Sequence, residues 1–237
     1  MIYNIFIFIL CLEKTFILER ISTITKDGST SLFVPELNEH YHSIHGAVNE
    51  SLHVFIEKGL NEFKNHESVD ILELGLGTGL NAILTLIEAD KTCQLINYTA
   101  IEKYPISIDE VQKMNFLDHL DKISYKKEFF LLHDCEFNIK AEINKNFKFI
   151  KLKKDFRKIN FTEQFDLIYF DAFAPEKQAG LWTKEMSTLL FRALNPQGVL
   201  VTYCAKGQVR RDMEAVGFKT ERLEGPPGKR EMLRMRK

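Results

Sequence analysis

An aspartate stands where an apolar run stops. "FDLIYFDAFAPEKQAGLWT", residues 165–183, reads as a buried strand up to Phe170, followed by Asp171 and an exposed-looking loop that carries the chain's only tryptophan. A carboxylate in that position is held rigidly behind and open to a ligand in front. A purely structural role, capping the loop or the following helix, is the competing reading. A second unusual stretch is "LELGLGTGLNA", where Gly75, Gly77 and Gly79 separate an apolar strand pattern from a helical one and Glu73 stands two residues before the first glycine. Glycines at such a junction let the backbone turn tightly and come close to a ligand.

The spacing is G-x-G-x-G. A dinucleotide fingerprint would be G-x-G-x-x-G, so a nucleotide-dependent oxidoreductase is disfavoured. The stretch resembles motif I of the class I S-adenosylmethionine-dependent methyltransferases, in which the cofactor's methionine part lies against the loop. Glu102 ends the run "NYTAIE" 25 residues beyond Gly77. A carboxylate there can accept two hydrogen bonds from ribose hydroxyls. Asp155 is expected to end the next strand and to accept from the adenine amino group. Asp171 would then close the fourth strand, where this fold presents the methyl acceptor. Its surroundings, D-A-F-A-P, are not the [DNS]-P-P-[YFW] pattern of enzymes that methylate exocyclic amines of bases or amides. No Pro-Cys nucleophile for carbon methylation of pyrimidines is present either. An alkylamine acceptor suits a lone carboxylate. A protonated amine has no free lone pair, and a carboxylate can orient it and assist loss of its proton.

These residues need elements to hold them. Alternating β-branched residues around Asp27-Gly28 predict a hairpin, and apolar spacing over 46–58 predicts a helix ending near Gly59. Strand–turn–helix units follow at "VDILELGLGTGLNAILTLIEA" and "LINYTAIEKYPISIDEVQKMNF", a strand at "FKFIKLKKDF", then the strand before Asp171 and a helix at "TKEMSTLLFRAL". "PQGVLVTYCAKGQVRRDMEAVGF" reads as turn, strand and helix, and a hairpin across Pro226-Pro227-Gly228 closes the chain. Alternating strands and helices imply a parallel sheet with right-handed crossovers, whose ligands bind beyond the carboxyl ends of the strands. The expected fold is therefore α/β: a Rossmann-like, mostly parallel seven-stranded sheet with a C-terminal antiparallel hairpin. Residues 1–60 form an N-terminal hairpin-and-helix extension over the site, and residues 61–237 the methyltransferase domain.

The 237 residues suffice for one α/β domain. The net charge of −1 hides an uneven distribution. Residues 1–121 carry −10 and residues 159–204 carry −2, whereas 122–158 carry +6 and 205–237 carry +5. Two basic segments in an acidic chain can present a local face to a polyanion, unless they are only solvated faces that never meet. Cys11, Cys93, Cys135 and Cys204 show no CxxC spacing, and the histidines have no ligand spacing, so reduced thiols, a cytoplasmic location and no metal are expected. "MIYNIFIFILCL" is too short to span a bilayer and lacks a signal peptide's basic n-region, so no membrane association is expected. It reads as an extension, an added strand or the product of an early start codon.

"DAFAPEKQAGLWT", "GVLVTYCAKGQVRRDMEAVGF", "GPPGKREMLR" and the upstream "LFVPELNEHYHSIHGAVNESLHVFIEKGL" together resemble the methyltransferase module of the MnmC family of tRNA wobble-uridine modification proteins, in its stand-alone MnmD-like form. The resemblance covers roughly residues 20–235. It implies methyl transfer from S-adenosyl-L-methionine to 5-aminomethyl-2-thiouridine at wobble position 34, giving the 5-methylaminomethyl derivative. It implies Glu73, Gly75, Gly77, Gly79, Glu102 and Asp155 as cofactor residues and Asp171 as the catalytic residue. Phe173 and Pro175 would wall the uracil pocket, and Tyr41, His42 and His45 would close it. Lys206, Arg210, Arg211, Lys229 and Arg230 would contact phosphates of the tRNA anticodon stem-loop, which positions the substrate without reading sequence. Cys204 is read as a buried thiol.

The chain departs from the long form in having "EKGL" where that form has Gly-Asn, and residues 1–15 have no counterpart. It ends after the hairpin, so the flavin-dependent oxidoreductase half and its removal of a carboxymethyl group are not expected. No obligate protein partner is implied, only functional coupling to the enzymes that install the aminomethyl group. Two rivals remain: a class I methyltransferase of a small-molecule amine, and a non-catalytic RNA- or cofactor-binding partner.

Overall fold

The structure, a computed structural model, describes residues 19–237. The apolar N-terminal run and Cys11 lie outside the described residues. Strand β1 (Ile21–Ile24) pairs antiparallel with β2 (Thr30–Val34) across the Asp27-Gly28 turn, as the alternation predicts, and β2 pairs in turn with the short β3 (Glu39–His40). The helix expected over 46–58 is present in two windings. It starts as α1 (Ala47–Ser51) and continues as a π-helical segment, Leu52–Glu57, before Gly59. Its Val54, Phe55 and Ile56 are buried, and the Phe55 ring lies 5.1 Å from that of Tyr169 in the central sheet.

The main sheet is built from β4 (Ser68–Leu74), β5 (Leu95–Ile101), β6 (Lys140–Asn144), β7 (Phe147–Leu152), β8 (Phe165–Phe170), β9 (Leu194–Thr202), β10 (Lys219–Glu224) and β11 (Glu231–Arg236). Their spatial order is β10-β11-β9-β8-β4-β5-β7-β6. The five strands β9, β8, β4, β5 and β7 run parallel, and β11 enters antiparallel beside β9 as the closing hairpin requires. The sheet has eight strands, one more than expected among the described residues. The extra strand is β6, an antiparallel edge hairpin with β7. Its Lys-, Glu- and Asn-containing sequence carries little apolar alternation, so sequence pattern does not announce it.

Helix α2 (Leu80–Thr92) leaves the glycine turn after β4. The single turns α3 (Ile108–Val111) and α4 (Phe116–His119) precede α5 (Lys126–Asp134), and α6 (Lys184–Ala193) and α7 (Gly207–Ala215) complete the set. Ser107 and Glu110 cap α3 reciprocally, a capping box that holds a very short helix in place. Two apolar layers cover the sheet. One, with Ala82, Ile83, Leu86 and Phe129, includes Val54 and Phe55 of the N-terminal segment; the other holds Met186, Leu190, Val209 and Met213. Buried on both faces, β8 is a nearly continuous apolar run, as a parallel central strand is expected to be.

The chain passes from β4 outward through β5 to β7, then returns to β8 on the other side of β4. That reversal opens a crevice at the carboxyl ends of β4 and β8, and Asp171 is the first residue past β8.

Candidate active site

A cleft of about 480 Å³ opens at this switch point. The register places Leu74 beside Phe170, so Gly75 follows one strand and Asp171 the other, and the Asp171 carbonyl lies against Gly75. Gly77 has φ +52°, and a side chain there would meet the Tyr41 ring at 3.1 Å. Only glycine allows both the left-handed backbone and that contact. Gly79 is different: its open side is filled by the His133 ring, so it supports the turn from beneath rather than facing the cleft.

Glu102, past the end of β5, fastens the turn. Its Oε2 accepts from the Gly77 amide at 3.0 Å and its Oε1 from the Tyr104 amide at 2.7 Å. Each oxygen keeps further lone-pair capacity toward the cleft. Asp155 also lines the cleft, but three residues beyond β7 rather than at its end. Its carboxylate caps a short helical turn and pairs with Arg157 at 2.6 Å and Lys103 at 3.5 Å. The Arg157 hydrogen bonds hold its pKa well below the usual carboxylate range.

Glu73 does not reach the cleft surface. It is fully buried, Oε1 accepts from Asn81 Nδ2 at 3.0 Å, and Oε2 has no partner among the described residues. Burial, with the Asp171 charge adding to it, pushes Glu73 well above its ordinary value. The same Asn81 Nδ2 donates to Asp171 Oδ2 at 2.8 Å. Asp171 is thus fixed through α2, and burial and the nearby Glu50 charge push its pKa up to about 7 against the pull of Asn81 and Lys229.

A second lobe of about 400 Å³ joins the first through Tyr41, His42, Asp171, Ala172 and Phe173. Its further walls include Glu50, Tyr203 and Lys229. Tyr41 stands edge-on to Phe173, 5.1 Å between centroids, and its hydroxyl accepts from Arg20 Nε at 2.8 Å. Arg20 also donates to the Tyr104 carbonyl at 2.7 Å, which straps the N-terminal segment across the cleft. His42 Nε2 and Thr78 Oγ1 lie 2.7 Å apart. Burial lowers His42 to about 4, so the ring is neutral.

Other expected residues stand apart. His45 lines neither lobe, and its ring packs on Gly228 of the closing hairpin. Pro175 lines neither lobe and is part of the loop whose Phe173 carbonyl receives the Trp182 indole at 2.8 Å. Lys206, past β9, pairs with Glu176 and ties two loops of the carboxyl edge together. Arg210 pairs with Glu214 at 2.7 Å, Arg211 donates to the Gln208 side chain at 2.8 Å, and Arg230 is exposed. Lys229 pairs with Glu50 inside the second lobe. Cys204 is buried, which raises its pKa.

Sequence reasoning passed over Asn81, Glu50, Tyr203 and Arg20. Asn81 had a signal, as the lone amide in the apolar first two turns of its helix. Glu50 had none, because an acid on a short amphipathic helix normally faces water. Among the described residues no group of His, Cys, Asp and Glu side chains is placed to hold a metal, and no helix is long and apolar enough to cross a membrane.

Residues 114–237 match the family model of an S-adenosyl-L-methionine-dependent methyltransferase. The chain belongs to that methyltransferase family. The relatives of this methyltransferase include the tRNA 5-methylaminomethyl-2-thiouridine biosynthesis bifunctional protein MnmC of Burkholderia multivorans, 26% identical over 223 residues, which cover 88% of this chain and 33% of the relative. The same-named protein of Pseudomonas entomophila is 26% identical over 80% of this chain and 31% of its own length. The methyltransferase thus spans about a third of the length of the curated relatives it matches. The crystal structure of MNMC2 from Aquifex aeolicus superposes with a TM-score of 0.75 at 23% identity, covering 92% of this chain and 69% of that one. It establishes the class I methyltransferase fold.

Proposed function

We propose that this methyltransferase converts the primary amine of 5-aminomethyl-2-thiouridine, at the wobble position of tRNA, to the 5-methylaminomethyl form. The observation that carries the proposal is Asp171, a carboxylate with a pKa raised to about 7 at the junction of two lobes. One lobe has the size and the carboxylate for an adenosyl cofactor, and the other opens beside it. The nucleoside in the relatives' names carries a methylated alkylamine, and a carboxylate of this basicity suits such an acceptor.

The residues fit S-adenosyl-L-methionine. Glu102 keeps acceptor capacity for two ribose hydroxyls, Gly75 and Gly77 line the cleft, and the buried Asn81 Oδ1 has no partner among the described residues while Asn81 lines the cleft. Asp155 would reach the adenine amino group with Arg157 sharing its oxygens. Glu73 and Gly79 hold the turn and Asn81 from below. The cofactor supplies an electrophilic methyl group on a sulfonium. Asp171 orients the incoming ammonium and accepts its proton, Tyr41, His42 and Phe173 exclude water around it, and Asn81 keeps the carboxylate from turning away. Of the N-terminal segment, the described residues 19–60 are assigned to the cover, and 61–237 to the methyltransferase domain.

Phosphate contacts are assigned to the carboxyl edge of the sheet. Lys206, Arg210, Arg211 and Arg230 lie on one side of it, and Lys153, Lys154 and Lys158 follow β7 on the other. That both basic segments reach this edge favours the anticodon stem-loop over a free small amine, and a cytoplasmic site of action follows from the substrate. The test compares initial rates with aminomethyl-bearing tRNA, the same tRNA without the aminomethyl group, and the free aminomethyl nucleoside. Transfer only to the first supports the assignment; equal rates on the free nucleoside would move it to a small-molecule amine.

A further inference from the structure

Glu50 and Lys229 meet from opposite ends of the chain. Glu50, on α1, has a side chain only 9% exposed, its Oε2 accepts from the Ser43 amide at 2.9 Å, and its Oε1 holds the Lys229 ammonium. Lys229 comes from the β10–β11 turn and lies 3.9 Å from the centroid of the Tyr203 ring. The Tyr203 hydroxyl donates to the carbonyl of Ala172 at 2.8 Å, the residue after Asp171. All three side chains line the second lobe together with Asp171. A buried ion pair contributes little net stability, because desolvation offsets its attraction. A pair placed against a cavity that ends on a basic carboxylate is better explained by what enters the cavity.

Building on the assignment of an alkylamine acceptor, we propose that Glu50 is a second substrate-binding carboxylate and Lys229 its resident counter-ion, so that the lobe selects a protonated primary amine. Before substrate arrives, Lys229 neutralises Glu50 in a site too dry to leave it bare. The ammonium then brings a second cation between the two carboxylates. Lys229 remains compatible with it because the Tyr203 face also attracts its charge. One N–H bond of the ammonium breaks, the proton goes to the Asp171 carboxylate, and the electron pair stays on nitrogen, ready to attack.

The two charges act on Asp171 in opposite directions: Glu50 makes it more basic and Lys229 less so. Glu102, Lys103, Asp155 and Arg157 line the first lobe with it. Burial pushes Glu73 well above its ordinary value, lowers His42 to about 4 so that its ring is neutral, and holds the Tyr41 and Tyr203 phenols above their ordinary values. Glu39 and His40 also line the second lobe.

The experiment measures kcat/KM for aminomethyl-bearing tRNA against pH in wild type, Glu50→Gln, Lys229→Met and the double variant, with cofactor Kd as a check on folding. The acid limb should move down by about half a pH unit or more in Glu50→Gln and up by a similar amount in Lys229→Met. The double variant should return toward the wild-type midpoint, and Glu50→Gln should raise KM about tenfold at unchanged cofactor Kd. Lys229→Arg, which keeps the charge, should keep the midpoint. Midpoints that stay fixed, or that move the same way in both single variants, would overturn the proposal and leave a structural ion pair. Failure of the wild type to methylate this tRNA at all would instead remove the amine reading on which the proposal rests.

Discussion

Replacing Asp171 with asparagine should give a protein that is more stable and nearly inactive. In the folded chain the carboxyl group has a pKa of about 7, against an ordinary value of 3.8. The folded state therefore binds more protons than the unfolded state between those values, and its stability falls as pH rises through that window. The penalty is absent below about pH 4 and complete above about pH 7. Its size follows from 1.36 kcal/mol for each pH unit separating the two values, about 4 kcal/mol at most. An asparagine at 171 has nearly the same shape, can still accept from Asn81 Nδ2, and carries no charge to bury. Denaturant unfolding of the cofactor-free protein at pH 8, 6 and 4 reads the effect. Asp171→Asn should be more stable by up to about 4 kcal/mol at pH 8, by less at pH 6, and by close to nothing at pH 4. Turnover should fall by roughly 10²-fold or more, the usual loss for a positioned acid–base group, with cofactor affinity nearly unchanged. A variant no more stable than wild type at pH 8, or a gain that ignores pH, would refute the account of a buried, basic carboxylate. Near-normal turnover would refute its role.

Glu102→Ala removes the acceptor for the ribose hydroxyls and the anchor of the Gly77 amide; at about 1.5–3 kcal/mol for each hydrogen bond to a charged group, calorimetry should find cofactor Kd raised by about 10²-fold. Gly77→Ala places a methyl group 3.1 Å from the Tyr41 ring on a left-handed backbone, so it should destabilise the fold by about 1–2 kcal/mol and weaken cofactor binding in the same titration. Neutralising Arg211 and Arg230 together should lower the slope of log K for tRNA against log salt by about 1–2, leaving cofactor binding unchanged; an unchanged slope would place the RNA elsewhere.

The parts legible in sequence are those in which local chemistry and fold agree. The glycine turn, Glu102 at its 25-residue spacing and Asp171 at a strand end each follow from one strand meeting one loop, and the hairpins at Asp27-Gly28 and Pro226–Gly228 are set by turn chemistry. What stayed hidden depends on long-range packing. Glu50 and Lys229 are 179 residues apart, and nothing in either neighbourhood announces that the N-terminal helix and the closing hairpin meet over Asp171. The same meeting explains His45, which resembles a site residue in sequence but packs on Gly228. β6 was missed because an exposed edge strand carries polar residues on much of its length. Asp155 lines the cleft three residues past the strand end expected for it, and its tight pairing with Arg157 could not be read from a two-residue separation alone.

Methyl transfer to an alkylamine on tRNA can be read on the product itself. The direct measurement incubates the protein with labelled S-adenosyl-L-methionine and tRNA bearing 5-aminomethyl-2-thiouridine, then digests the tRNA and weighs the wobble nucleoside. A gain of a single methyl group on that nucleoside is the predicted result. Label on another nucleoside, or none on a protein that still binds the cofactor, would contradict it.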